Sequence, residues 1–374
     1  MRSDVTWADI HLDRLHANLD LIAETARVPL MPVVKANAYG HGAVPLALEL
    51  QRRKDVAALC LWTVDEAIEL RKAGVKRRLI LFGGVPQGRA KEAHALGVEP
   101  VVGDIDRLPE LARAATAKCP FPLHVKFDTG MNRLGAPPAR AEALYRAVAA
   151  NPKLRPVGLM THFVDAEKKR GVVTRQITLF DDLCRSLTGA GFALPPRHAA
   201  NSAAACLHPG ARYEAVRPGI GMYGYQTFAG APIGLRPVME WRAKLQFVRT
   251  VAKGASVSYG PRWRATGPTT VAALAAGYAD GYSRRLSGKG FAIMGNVAAP
   301  QIGTVCMDVT LFDVTGVDAP RTGTVATLMG DGVGADRLAA LAGTIPYEIL
   351  CGVGRRVPRH YLKNGTCVRT LRMI

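Results

Sequence analysis

The chain of 374 residues is 48% hydrophobic and 21% charged, which suffices for a large buried core and excludes an intrinsically disordered protein. No apolar run reaches the roughly 18 residues of a membrane span, and the N-terminus lacks the apolar centre of a secretion signal. Seven scattered cysteines without a CxxC pair favour free thiols over a disulfide framework or a metal site. We therefore expect a cytoplasmic protein that has no membrane partner and no bound metal.

The net charge of +19, from 49 basic and 30 acidic residues, could attract nucleic acid. The basic residues are dispersed in short groups such as Arg355 and Arg356, and no aromatic residues are interleaved with them. This dispersal indicates a generally basic surface, so we do not expect nucleic acid as a partner.

The first 235 residues alternate between strand-like apolar runs and helix-compatible segments. A helical segment, LDRLHANLDLIAETA, precedes the first run, and the segment from Asp65 to Gly74 has an N-cap candidate and ends in glycine. The eight predicted strands span residues 31–36, 56–63, 78–83, 98–103, 122–128, 156–163, 197–202 and 213–224. This alternation predicts a TIM-type α/β barrel with eight parallel strands. A doubly wound open sheet is the alternative, although no GxGxxG sequence follows the first strand.

The sequence pattern changes after residue 235. LRPVMEWRAKLQFVRTVAKGASVSYG alternates apolar and polar residues, and runs rich in glycine and threonine follow it. We predict two domains, a barrel over residues 1–235 and a mostly β domain over residues 236–374. The second domain is expected to hold one helix near GADRLAALAG, and the linker is expected at residues 229–238.

Polar residues follow the ends of several predicted barrel strands. They are Lys35, Asp128 with Arg133, His162, Asn201 with Ser202, and Arg217. Because the carboxyl ends of barrel strands meet at one mouth, we expect these side chains to converge there.

Two of these positions suggest a phosphorylated ligand. In barrels, phosphate groups often bind backbone N–H groups after the seventh and eighth strands, where Ser202 and the glycines Gly219 and Gly221 lie. Lys35 on the other side of the mouth could react with an aldehyde of the same ligand. A phosphate site plus a Schiff-base lysine describes pyridoxal phosphate, although any phosphorylated ligand would satisfy the phosphate site alone.

Seven motifs, in the same order, resemble those of alanine racemases. They are VVKANAYGHGA (33–43), KFDTGMNRLG (126–135), MTHF (160–163), VRPGIGMYG (216–224), VSYG (257–260), GTVCMD (303–308) and RVPRHY (356–361). The resemblance extends over nearly the whole chain. It implies a barrel followed by a β domain, a homodimer with shared active sites, and a pyridoxal-phosphate-dependent interconversion of L- and D-alanine.

The resemblance also implies how the cofactor binds. Lys35 would hold pyridoxal phosphate covalently, Arg217 would face its pyridine nitrogen, and His162 would donate a hydrogen bond to Arg217. The residues expected around the phosphate are Tyr39, Asn201, Ser202, Gly219, Ile220 and Tyr361.

Racemisation needs a proton carrier on each face of the substrate Cα. By resemblance Lys35 acts on D-alanine and Tyr259, contributed by the other subunit, acts on L-alanine. A tyrosine ordinarily ionises near about pH 10, so a base role would require the cationic neighbourhood that Arg133 and Arg217 could supply.

Arg133 and the backbone N–H of Met307 resemble the groups that bind the substrate carboxylate. Lys126 matches a position that is carbamylated in several family members, and an ordinary lysine is the competing interpretation. Tyr259 and Tyr361 would narrow the entrance and favour the methyl group of alanine.

Three other functions remain as alternatives. The first is a broader-specificity amino-acid racemase, for example one acting on serine, whose periplasmic type usually has a signal peptide and a disulfide, neither of which is evident here. An amino-acid decarboxylase would prefer an acidic group at the pyridine nitrogen, where Arg217 is expected. A non-catalytic pyridoxal-phosphate-binding protein would not need the motifs after residue 235.

Overall fold

The computed structural model describes residues 4–168, 171–230 and 233–372. Its strands are β1 (Thr6–His11), β2 (Ala58–Leu61), β3 (Arg78–Leu81), β4 (Val98–Val102), β5 (Phe121–Lys126), β6 (Leu154–Met160), β7 (Arg197–His198), β8 (Met239–Val251), β9 (Thr269–Leu274), β10 (Phe291–Met294), β11 (Val297–Pro300), β12 (Thr310–Asp313), β13 (Val325–Met329), β14 (Arg359–Lys363) and β15 (Thr366–Leu371). Its helical segments are α1 (Leu12–Ala26), α2 (Lys35–Tyr39), α3 (Ala43–Leu50), α4 (Val64–Lys72), α5 (Ala90–Ala95), α6 (Leu108–Arg113), α7 (Pro138–Ala149), α8 (Gly171–Gly189), α9 (Ser202–Leu207), α10 (Ala335–Ala342) and α11 (Pro346–Gly352). Within the described ranges, no helix combines the length and the apolar character of a membrane span.

Strands β2 to β7 form a parallel sheet in which each strand pairs with its neighbour in the chain. Every residue of β2 and β4 is buried, as expected for parallel strands that are covered on both faces. Because the strands are parallel, their carboxyl ends lie along one edge, which is where the sequence placed the candidate site residues.

The eight-stranded barrel is not confirmed, because the sheet contains six strands within the described residues. Within the described residues, the first and last predicted strands pair only through isolated parallel bridges, such as those from Val33 to Cys60 and from His198 to Ala215. Pro32 interrupts the first of these segments, since proline has no N–H to donate to a ladder.

A second sheet runs in the order β11-β10-β13-β8-β1-β14-β15, and β9 pairs with both β8 and β12. Residues after 235 supply most of its strands, together with α10 at the predicted position and α11. Strand β1 comes from the N-terminus, however, and pairs antiparallel with β8 and parallel with β14. The first residues of the chain therefore complete the second sheet. Ala231 and Pro232 of the predicted linker lie outside the described residues.

Helix α4 begins with a capping box that also contacts the candidate site. The cap is Thr63, two residues before the predicted start of this segment, and its side chain accepts a hydrogen bond from Glu66 N at 3.1 Å. The Glu66 carboxylate accepts from Thr63 N at 3.1 Å and from Trp62 N at 2.7 Å. Its other oxygen accepts from Ala36 N at 2.7 Å, so one carboxylate joins the start of α4 to α2.

Segment α2 is a left-handed turn, so Lys35 and Ala36 do not belong to the first strand, which was predicted over residues 31–36. The φ angles of its residues 36–39 lie between 50° and 54°. Residues other than glycine pay roughly 1–2 kcal/mol each for this conformation. Gly40 follows with a φ of 81°, and a Cβ there would lie 2.2 Å from Leu350 O. The turn therefore requires stabilising contacts from outside.

Two residues of β14 supply such contacts. The fully buried guanidinium of Arg359 donates to Gly40 O from Nε at 3.1 Å and from Nη2 at 2.9 Å. It also donates to the carbonyl groups of Val353, Gly354 and Val357. Tyr361 donates from its hydroxyl to His41 O at 2.9 Å. The second sheet thus holds the turn that follows Lys35.

We expect Arg359→Met to lower the free energy of unfolding by at least about 3 kcal/mol, because several buried carbonyl groups lose their donor. Arg369→Met is the matched control, since Arg369 is an exposed arginine opposite Tyr361 on β15. Chemical denaturation of both variants measures the difference. Equal stability of the two variants would contradict the stabilising role of Arg359 at the left-handed turn.

Candidate active site

A cavity of about 530 Å³ lies at the carboxyl edge of the parallel sheet. Ten of the predicted site residues line it: Lys35, Tyr39, Lys126, Arg133, His162, Asn201, Ser202, Arg217, Gly219 and Ile220. They come from five separate stretches of the chain, so the fold brings together side chains that are far apart in sequence.

Lys35 stands where the first bridged segment meets the left-handed turn. Its Nζ lies 5.1 Å from the centre of the Trp62 ring. Burial and the positive charge of Arg133 lower the pKa of Lys35, although Glu66 opposes this shift. A lysine with a lowered pKa has more of the neutral amine, which is the form that reacts with an aldehyde or accepts a proton.

A group of hydrogen-bonding atoms suited to an anion lies around Ser202. Its Oγ accepts from Gly219 N at 2.9 Å and from Gly221 N at 3.1 Å, and the neighbouring Asn201 caps α9. A Cβ on Gly219 would lie 3.1 Å from the Tyr39 hydroxyl, so the absence of a side chain lets this hydroxyl lie next to Gly219. Because Ser202 Oγ accepts from two backbone N–H groups, its own hydrogen is free to be donated, and the Ser202 and Tyr39 hydroxyls can both donate to one small anion.

Arg217 is buried and makes four hydrogen bonds through its terminal nitrogens. Nη2 donates to Thr161 O at 3.0 Å, to Ala199 O at 2.8 Å and to His162 Nδ1 at 3.2 Å, and Nη1 donates to His198 Nδ1 at 2.9 Å. Nothing in the described part of the chain accepts a hydrogen bond from Nε, which leaves this donor for a ligand. These contacts fix the plane of the guanidinium.

The hydrogen bond between His162 and Arg217 runs opposite to the predicted direction. A guanidinium has only donors, so His162 Nδ1 must accept. Burial and the charge of Arg217 lower the pKa of His162 well below its usual range, which keeps the imidazole neutral. His162 therefore orients Arg217 as an acceptor.

Lys126 and Arg133 add two further cations to the cavity. Burial, Arg217 and Arg133 together lower the pKa of Lys126 to about 8. Arg133 is exposed at the rim and forms no ion pair within the described ranges. Its guanidinium is therefore free to bind a carboxylate of a ligand.

Tyr259 and Met307 do not line the cavity of their own chain. Both belong to the second sheet region and are exposed, by 73% and 52% respectively. Their chain neighbours are in contact, because Ser258 Oγ lies 3.3 Å from Cys306 Sγ and Thr304 donates to Tyr259 O at 2.7 Å. The fold thus brings these two predicted residues close to each other and leaves both accessible.

Tyr361 is also absent from the cavity lining. Its ring is 1% exposed and its hydroxyl binds His41 O behind the left-handed turn. The structure therefore does not place Tyr361 where it could touch a phosphate or narrow the entrance, as the sequence analysis expected. Its contacts are those of a residue that supports the turn.

Several residues of the site were not predicted from sequence. Tyr347 and Cys351 of α11 line the cavity, and the Tyr347 ring lies 5.7 Å from that of Tyr39. Nothing in their local sequence distinguishes them from core residues of a short helix. Glu66 could have been found, because a threonine three residues before a glutamate is the pattern of a capping box.

Comparison with known proteins agrees with this geometry. Residues 10–227 match the family model for the N-terminal domain of alanine racemase, and residues 238–361 match the model for its C-terminal domain. An alanine racemase of Sorangium cellulosum So ce56 is 37% identical over 375 residues, covering 95% of this chain and 98% of that protein.

Solved structures are similar over the same length. Alanine racemase from D-cycloserine-producing Streptomyces lavendulae is 34% identical with a TM-score of 0.90, covering 97% of this chain and 98% of that one. Alanine racemase from Bartonella henselae, solved with covalently bound pyridoxal phosphate, is 26% identical with a TM-score of 0.88, covering 96% and 100%. The two family models together span most of the sequence. The chain therefore belongs to the alanine racemase family.

Proposed function

We propose that this protein interconverts L- and D-alanine with pyridoxal phosphate as its cofactor. The observation that carries the proposal is the convergence of Lys35, the atoms around Ser202 and the Arg217 guanidinium on one cavity. The reaction would take place in the cytoplasm and would either supply D-alanine for peptidoglycan or break it down.

The architecture proposed for this function is a barrel and a β domain. The bridges from Leu30 to Val56 and Val216, and from His198 to Ala215, support closure of the six-stranded sheet into a ring of eight positions. We assign residues 1–235 to this barrel domain, with the exception of β1, and residues 236–374 to the β domain.

The residues present fit the cofactor. The hydroxyls of Tyr39 and Ser202, which line the cavity together with Gly219, suit a phosphate group. Lys35 supplies the amine that an aldehyde requires, and Arg217 supplies a donor for a ring nitrogen. When bound, pyridoxal phosphate withdraws electrons from the substrate Cα and makes its proton removable.

The two faces of Cα require two proton carriers. The Lys35 amine removes the proton from D-alanine or returns it on one face, and its lowered pKa suits this role. The Tyr259 hydroxyl of a second copy of the chain acts on L-alanine from the other face. The exposure of Tyr259 and its absence from the cavity lining of its own chain support a homodimer with shared sites.

Arg217 would donate a hydrogen bond to the pyridine nitrogen. Arginine rarely releases its proton, and burial lowers the pKa of Arg217 only to about 10. The nitrogen therefore gains a hydrogen bond without a full positive charge. This weakens electron withdrawal and favours racemisation over transamination.

The substrate carboxylate would bind Arg133 and the backbone N–H of Met307 from the second copy. Lys126 lies among these cations with a pKa of about 8, so part of its amine is neutral and could react with carbon dioxide to form a carbamate and a proton. A carbamate there would place a negative charge that orients Arg133.

A broader-specificity racemase is the second candidate. It is favoured by one observation, since Tyr361 does not reach the cavity and only Tyr259 remains to narrow the entrance. Serine, whose side chain is one hydroxyl larger than that of alanine, is the first substrate to compare.

We expect purified protein with pyridoxal phosphate to convert L-alanine to D-alanine, as followed by chiral chromatography. Lys35→Ala should lower this rate by about 10²-fold or more, because one proton carrier and the covalent attachment point are lost. L-serine and a panel of other amino acids are assayed in parallel by the same method, and carbon dioxide release is measured for each substrate. Decarboxylation as fast as racemisation would refute the proposed reaction.

Tyr259→Phe should distinguish proton transfer on one face of the substrate Cα from proton transfer on the other. In deuterated water this variant should still exchange the α-proton of D-alanine through Lys35, while exchange from L-alanine and racemisation fall by about 10²- to 10⁴-fold. Tyr278→Phe is the control, an exposed tyrosine without an assigned role. Equal loss of exchange from both enantiomers in Tyr259→Phe would contradict the assignment of faces.

Mixing the inactive Lys35→Ala and Tyr259→Phe proteins should restore activity. A heterodimer of the two variants contains one site with both the lysine and the tyrosine intact, so recovery approaches about half of the activity per heterodimer. Mass spectrometry of the intact dimers verifies subunit exchange. Proven exchange without recovery would show that each chain carries a complete site.

A further inference from the structure

A line of hydrogen-bonded side chains leads away from the cavity through the interior of the parallel sheet. Arg217 Nη1 contacts His198 Nδ1 at 2.9 Å, and His198 Nε2 contacts His124 Nδ1 at 2.8 Å. His124 Nε2 contacts Glu99 Oε2 at 2.9 Å. Arg78 closes the line with hydrogen bonds of 2.7 Å and 2.8 Å to the two Glu99 oxygens.

The sheet leaves room for this line at one position. His124 lies on β5 and His198 on β7, so β6 separates their strands. The residue of β6 opposite His124 is Gly158, and a Cβ there would lie 2.0 Å from His124 Nδ1. Only a residue without a side chain lets the two imidazoles meet. Both histidines are 1% exposed, so water has little access to them.

The groups at the two ends determine the direction of every hydrogen bond. Arg217 can only donate, so His198 Nδ1 accepts and its proton is on Nε2. His198 therefore donates to His124 Nδ1, and His124 in turn carries its proton on Nε2 and donates to Glu99. Both imidazoles are neutral Nε2–H tautomers.

Charge considerations agree with this assignment. Burial and the charge of Arg217 lower the pKa of His198 well below its usual range, so it stays neutral. Burial raises the pKa of Glu99, but hydrogen bonds from His124 and Arg78 outweigh this effect and lower it to about 2. Glu99 is therefore a carboxylate and accepts from both neighbours.

Arg217 has no carboxylate of its own within the described ranges. Its other partners are His162 and the carbonyl groups of Thr161 and Ala199, all of them neutral. A buried charge needs compensation, and hydrogen bonds in series polarise one another. The Glu99 carboxylate is the anion that the line of hydrogen bonds connects to Arg217.

We propose that Glu99 is a positioning residue that acts on Arg217 through His124 and His198. The proposal rests on the function proposed above, in which Arg217 faces the cofactor nitrogen. Glu99 holds both imidazoles in one tautomer, and this tautomer presents an acceptor to Arg217. Without Glu99, either imidazole can carry its proton on Nδ1 instead of Nε2. His198 then presents an N–H to Arg217, and the guanidinium loses the acceptor that fixes its plane.

The tautomers can be read directly, whether or not the protein is active. ¹⁵N NMR of the full chain with labelled histidine, assigned by substituting His124 and His198 singly, reports which ring nitrogen is protonated. We expect both residues to be neutral with the proton on Nε2 near pH 7. A proton on Nδ1 of either ring, or a doubly protonated ring, would overturn the proposal even if racemase activity is present.

Glu99→Gln tests the action on Arg217. The amide carries no negative charge and keeps one acceptor oxygen in place of two, so its NH₂ group faces an N–H donor of Arg78 or of His124. We expect loss of the wild-type tautomer signals, a shift in the absorbance of the bound cofactor, and a kcat lower by about tenfold or more. The KM for alanine should change by less than about twofold, because the substrate carboxylate binds elsewhere.

Glu214→Gln is the matched control. Glu214 pairs with Arg197, which adjoins His198 in sequence, but lies outside the line of hydrogen bonds. It should keep the wild-type tautomers, absorbance and kcat. Wild-type values in Glu99→Gln, or equal losses in the two variants, would overturn the proposal.

A second pair of variants covers the case in which Glu99→Gln does not fold. The amide of His198→Gln can accept from Arg217 and donate to His124, whereas His198→Leu can do neither. The glutamine variant should retain at least about tenfold more kcat than the leucine variant. Equal kcat in folded samples of both variants would refute the action of Glu99 on Arg217 through this line of hydrogen bonds. A wild type with the expected tautomers but no racemase activity would instead refute the proposed function.

Discussion

The concentration of positive charge in one cavity governs the candidate site. Lys35, Lys126, Arg133 and Arg217 all line it, and Glu167 is the one carboxylate among the described lining residues. Burial and mutual repulsion lower the pKa values of both lysines and keep His162 neutral, so one cause makes the amines reactive and the imidazole an acceptor. The same excess of charge favours ligands that bring negative charge with them. A phosphate and an amino-acid carboxylate both do so.

The left-handed turn is strained, and the parallel sheet depends on contacts from the second sheet to stabilise this turn. The turn places Lys35 at one end and Tyr39 at the other, and its conformation is unfavourable for four residues in succession. The contacts that compensate come from β14, whose parallel partner β1 comes from the other end of the chain. The second sheet therefore contributes to the site in its own chain even where its side chains do not touch the cavity. A barrel segment alone would lack this support.

The sequence predicted which residues line the cavity much better than it predicted the direction of each side chain and the residues that support the site. Lys35, Ser202 and Arg217 were predictable because parallel strands bring their carboxyl ends to one edge, whatever the details of each strand. Tyr361 was misplaced because a motif fixes position along the chain but not the direction of a side chain, and this one points behind the turn. The role of β1 was missed because six residues carry too little pattern to reveal a distant partner strand. Glu99 and His124 were missed for a related reason, since polar residues that alternate in a strand usually indicate a solvent-exposed face.

The distance between Glu99 and Arg217 has a chemical advantage over direct contact. A carboxylate bound directly to Arg217 would occupy its donors and would add negative charge to a cavity that has to attract a phosphate and a carboxylate. Two neutral imidazoles keep that charge away from the cavity, next to the exposed Arg78, while their aligned hydrogen bonds still stabilise the guanidinium. The absence of a side chain at Gly158 is the structural requirement for this separation, because any other residue there would push His124 away from His198. The interior of the sheet thus compensates Arg217 without competing for the ligands that the cavity is suited to bind.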